Sequence, residues 1–277
     1  MTVTVTEPTP AVGVEISGLA GAALVDRRVA DDCLAALEER GVVVYREAAL
    51  DDDQLVAFSR LLGEVAILPM GTDEAHPEIS KITRDPSQSE LAAYREGTFF
   101  WHIDGTTDAV PNKATVLTAR EVSDEGGDTL FATTYAAYEA LPEDEKAALE
   151  GVRVVHSFAA SQLLVHPDPT PEQRAAWAKA PAREHPLVWT RRDGRRSLLI
   201  GATAGEVVGR PADEGRALLD RLLGWATRPD FVLRHRWRRG DLVIWDNTGM
   251  LHRAEPYAAS SRRLMHRTSI IGEEAVA

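Results

Sequence analysis

The sequence contains very little cysteine, since Cys33 is the only one in 277 residues. A single thiol cannot form a disulfide within the chain, so a disulfide-stapled extracellular fold is excluded and a reducing compartment is expected. No apolar run approaches the roughly 18 residues that a membrane-spanning helix requires. Residues 1–10 are rich in Thr and Pro and lack the basic and apolar regions of a secretory signal peptide. We therefore expect a cytoplasmic protein.

Positive charge is also scarce. The 31 Lys and Arg residues stand against 43 Asp and Glu, which gives a formal net charge of -12. This surplus of negative charge opposes binding to a polyanion such as DNA or to an anionic membrane surface. The one basic cluster, at residues 191–196, flanks the turn dipeptide Asp-Gly and predicts a solvent-exposed hairpin tip. We predict a small-molecule substrate, no nucleic acid, no membrane and a homo-oligomeric protein.

The periodicity of the chain predicts many short strands and few long helices. A flexible tail is expected at 1–12 and a single domain at 13–277. Apolar residues at helical spacing predict helices at 28–40, 51–62, 135–150 (interrupted by Pro142), 171–180 and 213–227. Strands are predicted at 13–19, 42–45, 78–83, 99–104, 115–120, 129–133, 152–158, 187–190, 197–200, 231–237, 241–245, 249–255 and 263–271. This content indicates a mainly β fold with helical cover.

Two short segments far apart in the chain carry the residue types of a metal site. They are Trp-His-Ile-Asp at 101–104 and Trp-Asp-Asn-Thr-Gly-Met-Leu-His-Arg at 245–253. Side chains alternate faces along a strand, so His102 and Asp104 are predicted to point the same way. If His252 joins them, two imidazoles and one carboxylate bind one face of a metal and leave the opposite positions open. This is the ligand set of a non-heme iron(II) oxygenase.

The residues around these candidate ligands are assigned less specific roles. Asp246 and Asn247, just ahead of the distal histidine, are predicted to be structural. The alternative is that either one fixes the imidazole tautomer through a hydrogen bond. Trp101, Trp237 and Trp245 are predicted to be core residues, because aromatic side chains bury a large apolar area.

The order of residues along the chain resembles a known family. Thr129 follows Asp104 after 24 intervening residues, and Arg263 follows His252 after 10. Further matching segments stand at 41–46, 126–129, 135–142 and 263–267. The whole set resembles the taurine dioxygenase-like (TauD/TfdA) family of iron(II)/2-oxoglutarate-dependent oxygenases.

The resemblance implies a fold, a co-substrate and three further site residues. The fold is a double-stranded β-helix, the jelly-roll or cupin-like form of a β architecture. The metal is iron(II), and O2 and 2-oxoglutarate are the co-substrates. Arg263 and Thr129 would hold the distal carboxylate of 2-oxoglutarate, because a guanidinium forms a two-pronged pair with a carboxylate and a hydroxyl can donate a further hydrogen bond. Arg267 is implied to lie near the iron-proximal carboxylate and an acidic group of the substrate.

The resemblance also indicates the type of reaction. Halogenating relatives replace the metal-binding carboxylate with a small residue to admit halide, so the presence of Asp104 favours hydroxylation. The expected reaction hydroxylates a small organic substrate and releases succinate and CO2.

The substrate pocket is predicted to differ from that of a taurine-specific enzyme. Taurine-specific relatives hold the sulfonate with an imidazole upstream of the His-x-Asp segment, and residues 66–70 here contain no histidine. Where those relatives place an amide side chain, this chain has Thr98. The predicted pocket is lined by Leu68, Met70, Gly105, Phe158 and Arg267. We expect a substrate larger and more apolar than taurine that carries an acidic group.

Other interpretations remain open at this stage. Segment 159–183 is polar and contains several prolines, so it is predicted to be either a lid over the site or a surface insertion without a gating role. A metal-binding jelly-roll protein without turnover and an oxygen-independent, cupin-like metallohydrolase or isomerase are the alternative functions. Within the family, a catabolic enzyme and one that tailors a natural product are not distinguished.

Overall fold

A computed structural model describes residues 2–67, 73 and 75–277 of the protein. The strands are, in chain order, β1 Thr4–Thr6, β2 Val14–Ser17, β3 Val42–Tyr45, β4 Ser80–Ile82, β5 Ala114–Glu121, β6 Thr129–Thr133, β7 Arg153–His156, β8 Arg183–Pro186, β9 Val188–Thr190, β10 Arg196–Leu198, β11 Ala204–Val207, β12 Val232–His235, β13 Leu242–Asp246, β14 Met250–Ala254 and β15 Leu264–Ile270. Most of the predicted strands are confirmed within a few residues.

The helices begin and end at residues that suit those positions. They are α1 Arg27–Arg40, α2 Asp52–Leu62, α3 Thr134–Glu139, α4 Glu143–Leu149, α5 Phe158–Val165, α6 Pro171–Trp177 and α7 Ala212–Ala226, with 3₁₀ helices at Gly21–Leu24, Ala92–Phe99 and Pro229–Phe231. Asp26 accepts a hydrogen bond from the Arg28 backbone N–H at the start of α1, and Gly41 ends that helix with φ 70°. Asp51 and Gln54 form a reciprocal capping box at the start of α2.

Two sheets provide the frame for the site. The larger sheet has the strand order β1-β2-β3-β13-β5-β15-β4, and a smaller one has the order β12-β6-β14. Neighbouring strands in both sheets are antiparallel, apart from the parallel pair β2 and β3. A three-stranded sheet β11-β7-β8 and the hairpin β9-β10 complete the described β structure. The prediction of a mainly β fold with helical cover is confirmed.

Alternation along the strands divides the apolar core between the two faces of the larger sheet. Val43 and Tyr45 of β3 point toward the layer that contains Phe58 of α2. Val42 and Val44 point the other way, into a cluster that includes Phe131 of the smaller sheet. The second cluster lies between the two sheets, and the candidate site is built beside it.

One predicted strand is wrong at the position where the site is formed. Residues 99–104 do not form a strand: a 3₁₀ helix ends at Phe99, and His102 makes only an isolated bridge with His252. The predicted strand at 152–158 ends at His156, because Ser157 caps α5 by accepting a hydrogen bond from the Ala160 backbone N–H.

Two other expectations need correction. The segment predicted to be a flexible tail contains β1, which pairs with β2, and its Val12 is fully buried. The hairpin at 191–196 is confirmed, but its predicted solvation is wrong for Arg191. That guanidinium donates hydrogen bonds to Glu274 at 2.9 Å and to the Tyr135 hydroxyl at 2.9 Å. Partners from remote parts of the chain cannot be recognised from a local turn pattern.

Among the described residues, no helix combines the length and the apolar character that crossing a bilayer requires.

Candidate metal centre

Direct backbone pairing brings the two candidate histidines together. The His102 backbone N–H donates to the His252 carbonyl at 3.0 Å, and the His252 N–H donates to the His102 carbonyl at 2.8 Å. Their ring centroids are 4.1 Å apart. Residues that pair in this way carry side chains on the same face, so an isolated bridge gives the proximity that the sequence attributed to a strand.

The third candidate ligand, Asp104, closes the group. Its Oδ1 lies 3.8 Å from His102 Nε2 and its Oδ2 lies 3.8 Å from His252 Nε2. One nitrogen or oxygen atom from each of the three residues falls within 4.8 Å of the other two. The three predicted ligands therefore meet at one point, as the sequence pattern required.

Hydrogen bonding orients one of the two imidazoles, and burial favours the neutral form of the other. His102 Nδ1 donates to the Phe100 carbonyl at 2.9 Å, so Nε2, which lies 3.8 Å from Asp104 Oδ1, is the nitrogen available to a metal. Burial lowers the pKa of His252 to about 3, and the nearby His102 adds to this effect. The ring of His252 packs between Trp245, at 4.7 Å, and Phe131, at 6.3 Å.

A chain of hydrogen bonds orients the carboxylate. The Thr115 hydroxyl donates to Asp104 Oδ2 at 2.8 Å, and the Asn247 amide donates to the same hydroxyl at 2.9 Å. Burial alone would raise the pKa of Asp104, but His252, Arg267 and this hydrogen bond outweigh it and hold the pKa below the ordinary value. Asp104 is thus ionised and can bind a cation.

The hydrogen bonds by which Thr115 and Asn247 orient Asp104 were not predicted from the sequence. The Asn247 side chain donates to Thr115 and not, as in the alternative given above, to an imidazole. The role of Thr115 cannot be predicted from the sequence, because a threonine at the start of an apolar strand gives no local sign of a contact 11 residues away. Asp246 accepts hydrogen bonds from Thr248 and, among the described residues, contacts neither candidate histidine.

A small cavity of about 60 Å³ opens beside the two histidines, and the residues predicted to bind 2-oxoglutarate line it. Arg263 is only 3% exposed, and its guanidinium lies 5.0 Å from the centroid of the Tyr257 ring. Burial lowers the pKa of Arg263 from its ordinary value. In the described part of the chain no carboxylate forms an ion pair with it. A buried guanidinium without a counterion is suited to receive a carboxylate from outside.

Thr129 faces the same cavity and is oriented by a tryptophan. The Trp237 indole N–H donates to the Thr129 hydroxyl oxygen at 2.9 Å. An indole nitrogen can only donate, so the hydroxyl acts as acceptor in this contact and its own hydrogen is free to point into the cavity. The donor set fits the carboxylate of a diacid. Trp237, predicted only as a core residue, is the partner that fixes this arrangement.

Two more guanidinium groups complete the cavity wall. Arg267 Nη1 lies 3.8 Å from Asp104 Oδ2, which places this residue next to the candidate metal ligands. Arg95, which the sequence analysis did not identify, lines the same cavity and is 8% exposed. The position of Arg95 depends on the 3₁₀ helix Ala92–Phe99, which was not predicted as a helix and of which only Thr98 was expected at the substrate pocket.

Of the predicted substrate-pocket residues, Arg267 lines the cavity, whereas Gly105 and Phe158 are not among its lining residues. Leu68 and Met70 lie outside the described residues. Gly105 has φ +79°, and a side chain there would meet the backbone of Asn112 at 2.9 Å, so the glycine serves the turn after Asp104. Phe158 is partly buried at the start of α5, with its ring 5.6 Å from that of Tyr94. Thr98 lines the cavity and donates its hydroxyl to the Arg95 carbonyl at 2.7 Å.

Comparison with known protein families gives a match over nearly the whole chain. The model of the family described as "Taurine catabolism dioxygenase TauD, TfdA family" matches residues 4–269. An alpha-ketoglutarate-dependent 2,4-dichlorophenoxyacetate dioxygenase from Cupriavidus pinatubonensis (strain JMP 134 / LMG 1197) is 38% identical over 255 residues, which cover 87% of this chain and 88% of that relative. An (S)-phenoxypropionate/alpha-ketoglutarate-dioxygenase from Sphingobium herbicidovorans is 32% identical over 254 residues, or 88% and 86% of the two chains.

Solved structures show the same similarity. A crystal structure of AAD-2 in complex with Mn(II) and N-oxalylglycine superposes with a TM-score of 0.82 at 28% identity and covers 100% of both chains. A taurine dioxygenase from Burkholderia xenovorans superposes with a TM-score of 0.80 at 30% identity, covering 99% of this chain and 90% of that one. These matches confirm the jelly-roll fold that the sequence resemblance implied.

Proposed function

The chain belongs to the TauD/TfdA family of dioxygenases, and from this premise we propose that its own substrate is an organic acid larger and more apolar than taurine. The protein is an iron(II)- and 2-oxoglutarate-dependent dioxygenase that hydroxylates a small organic molecule. This identity supports the oxygenase over the two alternatives, a metal-binding protein without turnover and an oxygen-independent metallohydrolase.

We assign the metal to His102, Asp104 and His252. The single observation that carries the assignment is the convergence of two imidazole nitrogens and one carboxylate oxygen within 4.8 Å of one another. When bound there, iron(II) together with O2 and 2-oxoglutarate supplies the oxidising chemistry, in which 2-oxoglutarate is converted to succinate and CO2 and one oxygen atom enters a substrate C–H bond. The protein residues hold and orient the reactants.

Arg263 and Thr129 are proposed to bind the distal carboxylate of 2-oxoglutarate. Arg263 is buried and brings a forked pair of donors, and Thr129 brings a hydroxyl hydrogen left free by Trp237. Thr129 begins β6 of the smaller sheet and Arg263 immediately precedes β15 of the larger sheet, so the diacid would lie between them. Charge-assisted hydrogen bonds of this kind fix the co-substrate in one orientation.

The acid group of the substrate is proposed to meet Arg267. The names of the relatives support this class, since 2,4-dichlorophenoxyacetate and phenoxypropionate are carboxylic acids with an aromatic part, and further relatives act on sulfate esters. The absence of histidine at 66–70 argues against taurine, whose sulfonate is held by an imidazole in taurine-specific relatives.

A substrate panel under iron(II), ascorbate and 2-oxoglutarate tests the proposal, with succinate formation above the uncoupled background as the readout. Aryloxyalkanoates and other hydrophobic acids should stimulate succinate formation more strongly than taurine. Their neutral methyl esters serve as matched controls and should stimulate it poorly. A clear preference for taurine, or for the esters, would contradict the proposed substrate class.

We also propose that residues 13–277 act as one domain and that segment 159–183 covers the site. The support is that α5 starts at Phe158, whose ring packs against Tyr94 in the 3₁₀ helix next to the cavity. Limited proteolysis should therefore slow within 159–183 when Mn(II), N-oxalylglycine and an acid substrate are added together. Unchanged cleavage would favour a surface insertion without a gating role.

A cytoplasmic location and a homo-oligomeric state remain our proposals. The buried lone thiol of Cys33 suits a reducing compartment. Ile67, Tyr94 and Leu164 are exposed by 65%, 45% and 41%, and a subunit interface would remove such apolar area from water. Light scattering should give a mass that is a multiple of 30.3 kDa. A monomer at every concentration would contradict the assembly.

A further inference from the structure

The cavity beside the candidate metal ligands contains a third guanidinium that neither the metal nor 2-oxoglutarate accounts for. Arg95 is 8% exposed and lines this cavity together with Arg263 and Arg267. One of its terminal nitrogens, Nη2, donates to the Lys81 carbonyl at 3.0 Å, while its buried Nε has no hydrogen-bond partner among the described residues. Leaving a buried donor unpaired is unfavourable, so this group is suited to an external acceptor.

The charges in the cavity do not balance. Arg95, Arg263 and Arg267 bring three positive charges, and among the described residues Asp104, 3.8 Å from Arg267, is the only carboxylate within ion-pair distance of any of them. In the part of the chain that the structure describes, no carboxylate forms an ion pair with Arg95. Burial lowers the pKa of Arg95 to about 10, and the neighbouring Arg267 adds to this effect. Buried like charges are unfavourable unless anions join them.

The known co-substrates compensate only part of this charge. In the proposed assignment a bound metal would be held by Asp104 with the two histidines, and Arg263 would pair with the distal carboxylate of 2-oxoglutarate. Arg95 and Arg267 would then have no anionic partner from the co-substrates. A zwitterion such as taurine would bring no net charge to them, and an organic anion would bring the missing negative charge.

We infer that Arg95, together with Arg267, binds the anionic group of the substrate and selects anions over neutral and zwitterionic molecules. The inference rests on the proposed function, in that the substrate is taken to be an organic acid. Arg95 is held for this role by its own 3₁₀ helix, where the Thr98 hydroxyl donates to its carbonyl, and that helix packs on the strand that carries His252. A guanidinium held in this way can present a fork of donors to one carboxylate or sulfate group.

The test measures binding by calorimetry to protein loaded with Mn(II) and N-oxalylglycine, so that no turnover is needed. The probes are 2,4-dichlorophenoxyacetate and its neutral amide, and the variants are R95Q and R95K. R262Q removes the same charge from a guanidinium whose side chain is 88% exposed, and it serves as the matched control. R95Q should weaken binding of the acid by about ten-fold or more and binding of the amide by less than about two-fold.

R95K should lose less affinity for the acid than R95Q, because lysine retains the positive charge but lacks the paired donors of a guanidinium. R262Q should bind the acid as the unsubstituted protein does. If R95Q weakens binding of the acid and of the amide equally, the inference is overturned. It is also overturned if R95Q weakens binding of N-oxalylglycine but not of the acid. The melting temperature and circular dichroism of each loaded variant show whether it is folded. If R95Q is not folded, R95K is used as the test variant.

A second experiment distinguishes a failure of this inference from a failure of the proposed substrate class. If the unsubstituted protein binds neither aryloxy probe, sulfate and acetate are titrated into the loaded protein, and the rise in melting temperature is recorded. If the rise in melting temperature is lost in R95Q and kept in R262Q, the anion site at Arg95 is supported. The proposed substrate class would then be wrong. No rise, or an equal rise in R95Q, overturns the role of Arg95.

Discussion

At the scale of single residues, the site depends on side chains whose hydrogen bonds leave one group free to act. Phe100 fixes the proton of His102 on Nδ1, so that Nε2 is available for the metal. The Trp237 indole N–H donates to the Thr129 hydroxyl oxygen, so that the hydroxyl hydrogen is available for 2-oxoglutarate. In both cases a contact outside the cavity decides which atom faces the ligand.

Replacement of Thr129 by valine tests the second of these contacts. T129V preserves the shape and removes the hydroxyl, so the apparent KM for 2-oxoglutarate should rise by about ten-fold, the equivalent of one hydrogen bond to a charged group. T129S, which retains the hydroxyl, should change this KM much less. Steady-state succinate formation measures both values. An unchanged KM in T129V would show that the hydroxyl does not contact the co-substrate.

Replacement of Thr115 tests how the carboxylate ligand is oriented. T115V removes the donor to Asp104 and also leaves the Asn247 amide without its acceptor. The Kd for iron(II) should rise by about 10- to 100-fold. T118V is the matched control, because Thr118 is buried on the same strand and its hydroxyl donates to the Asp241 carbonyl. Equal losses in both variants would indicate general destabilisation instead of ligand orientation.

At the scale of secondary-structure elements, local sequence predicted most helices and strands but not the segment that carries the first two ligands. Strand β13 is apolar at four of its five positions, and the capped helices α1 and α2 have clear starts and ends. Residues 99–104 are held by a bridge to a residue 150 positions away, as the His102 and His252 hydrogen bonds show. Such pairing is a tertiary contact and leaves no periodic pattern.

The candidate site was predicted more completely than the elements around it. His102, Asp104 and His252 meet, and Thr129, Arg263 and Arg267 lie close by. The residues that were missed, Arg95 and Thr115, act through spatial proximity, and nothing in their sequence neighbourhood distinguishes them from ordinary surface or strand residues.

A buried histidine at the junction of β7 and α5 makes this part of the protein sensitive to acid. Burial lowers the pKa of His156 to about 3, and its Nδ1 lies 2.9 Å from the Thr203 hydroxyl. The folded state therefore resists protonation that the unfolded state accepts below about pH 6.5. Stability contributed by the neutral ring is present above this pH and is lost as pH falls toward 3.

The H156Q variant isolates this effect. The free energy of unfolding of the unsubstituted protein should fall by about 1.4 kcal/mol more per pH unit than that of H156Q between about pH 6 and pH 4. Denaturant unfolding at several pH values measures the two slopes. H156Q can be less stable at every pH and still pass the test, because only the difference in slope matters. Parallel pH dependence in the two proteins would contradict a neutral buried His156.

At the scale of the whole molecule, the site joins the two sheets. His252 and Thr129 belong to the smaller sheet, whereas Arg267 belongs to the larger one. Ligands that bind all of them connect the two layers and bind only to the folded state. The protein as a whole carries a net charge of -12, so the cationic cavity is a local exception on an acidic molecule.

Ligand binding should therefore stabilise the entire fold. At about 100 times its Kd, a ligand specific for the native state adds about 2.7 kcal/mol to the free energy of unfolding. Mn(II) with N-oxalylglycine should raise the melting temperature by more than either alone, and the increase should vanish in H252A. An equal increase in H252A would place the ligands elsewhere.

The most direct test of the central claim is an anaerobic titration of metal-free protein with iron(II), followed by 2-oxoglutarate, monitored by visible charge-transfer absorption and by bound iron. The account predicts one iron per chain, an absorption change on addition of 2-oxoglutarate, and loss of both in H102A and H252A. R263Q should bind iron normally but require far more 2-oxoglutarate. Iron binding that is unaffected by H102A and H252A would contradict the assignment of the metal to these residues.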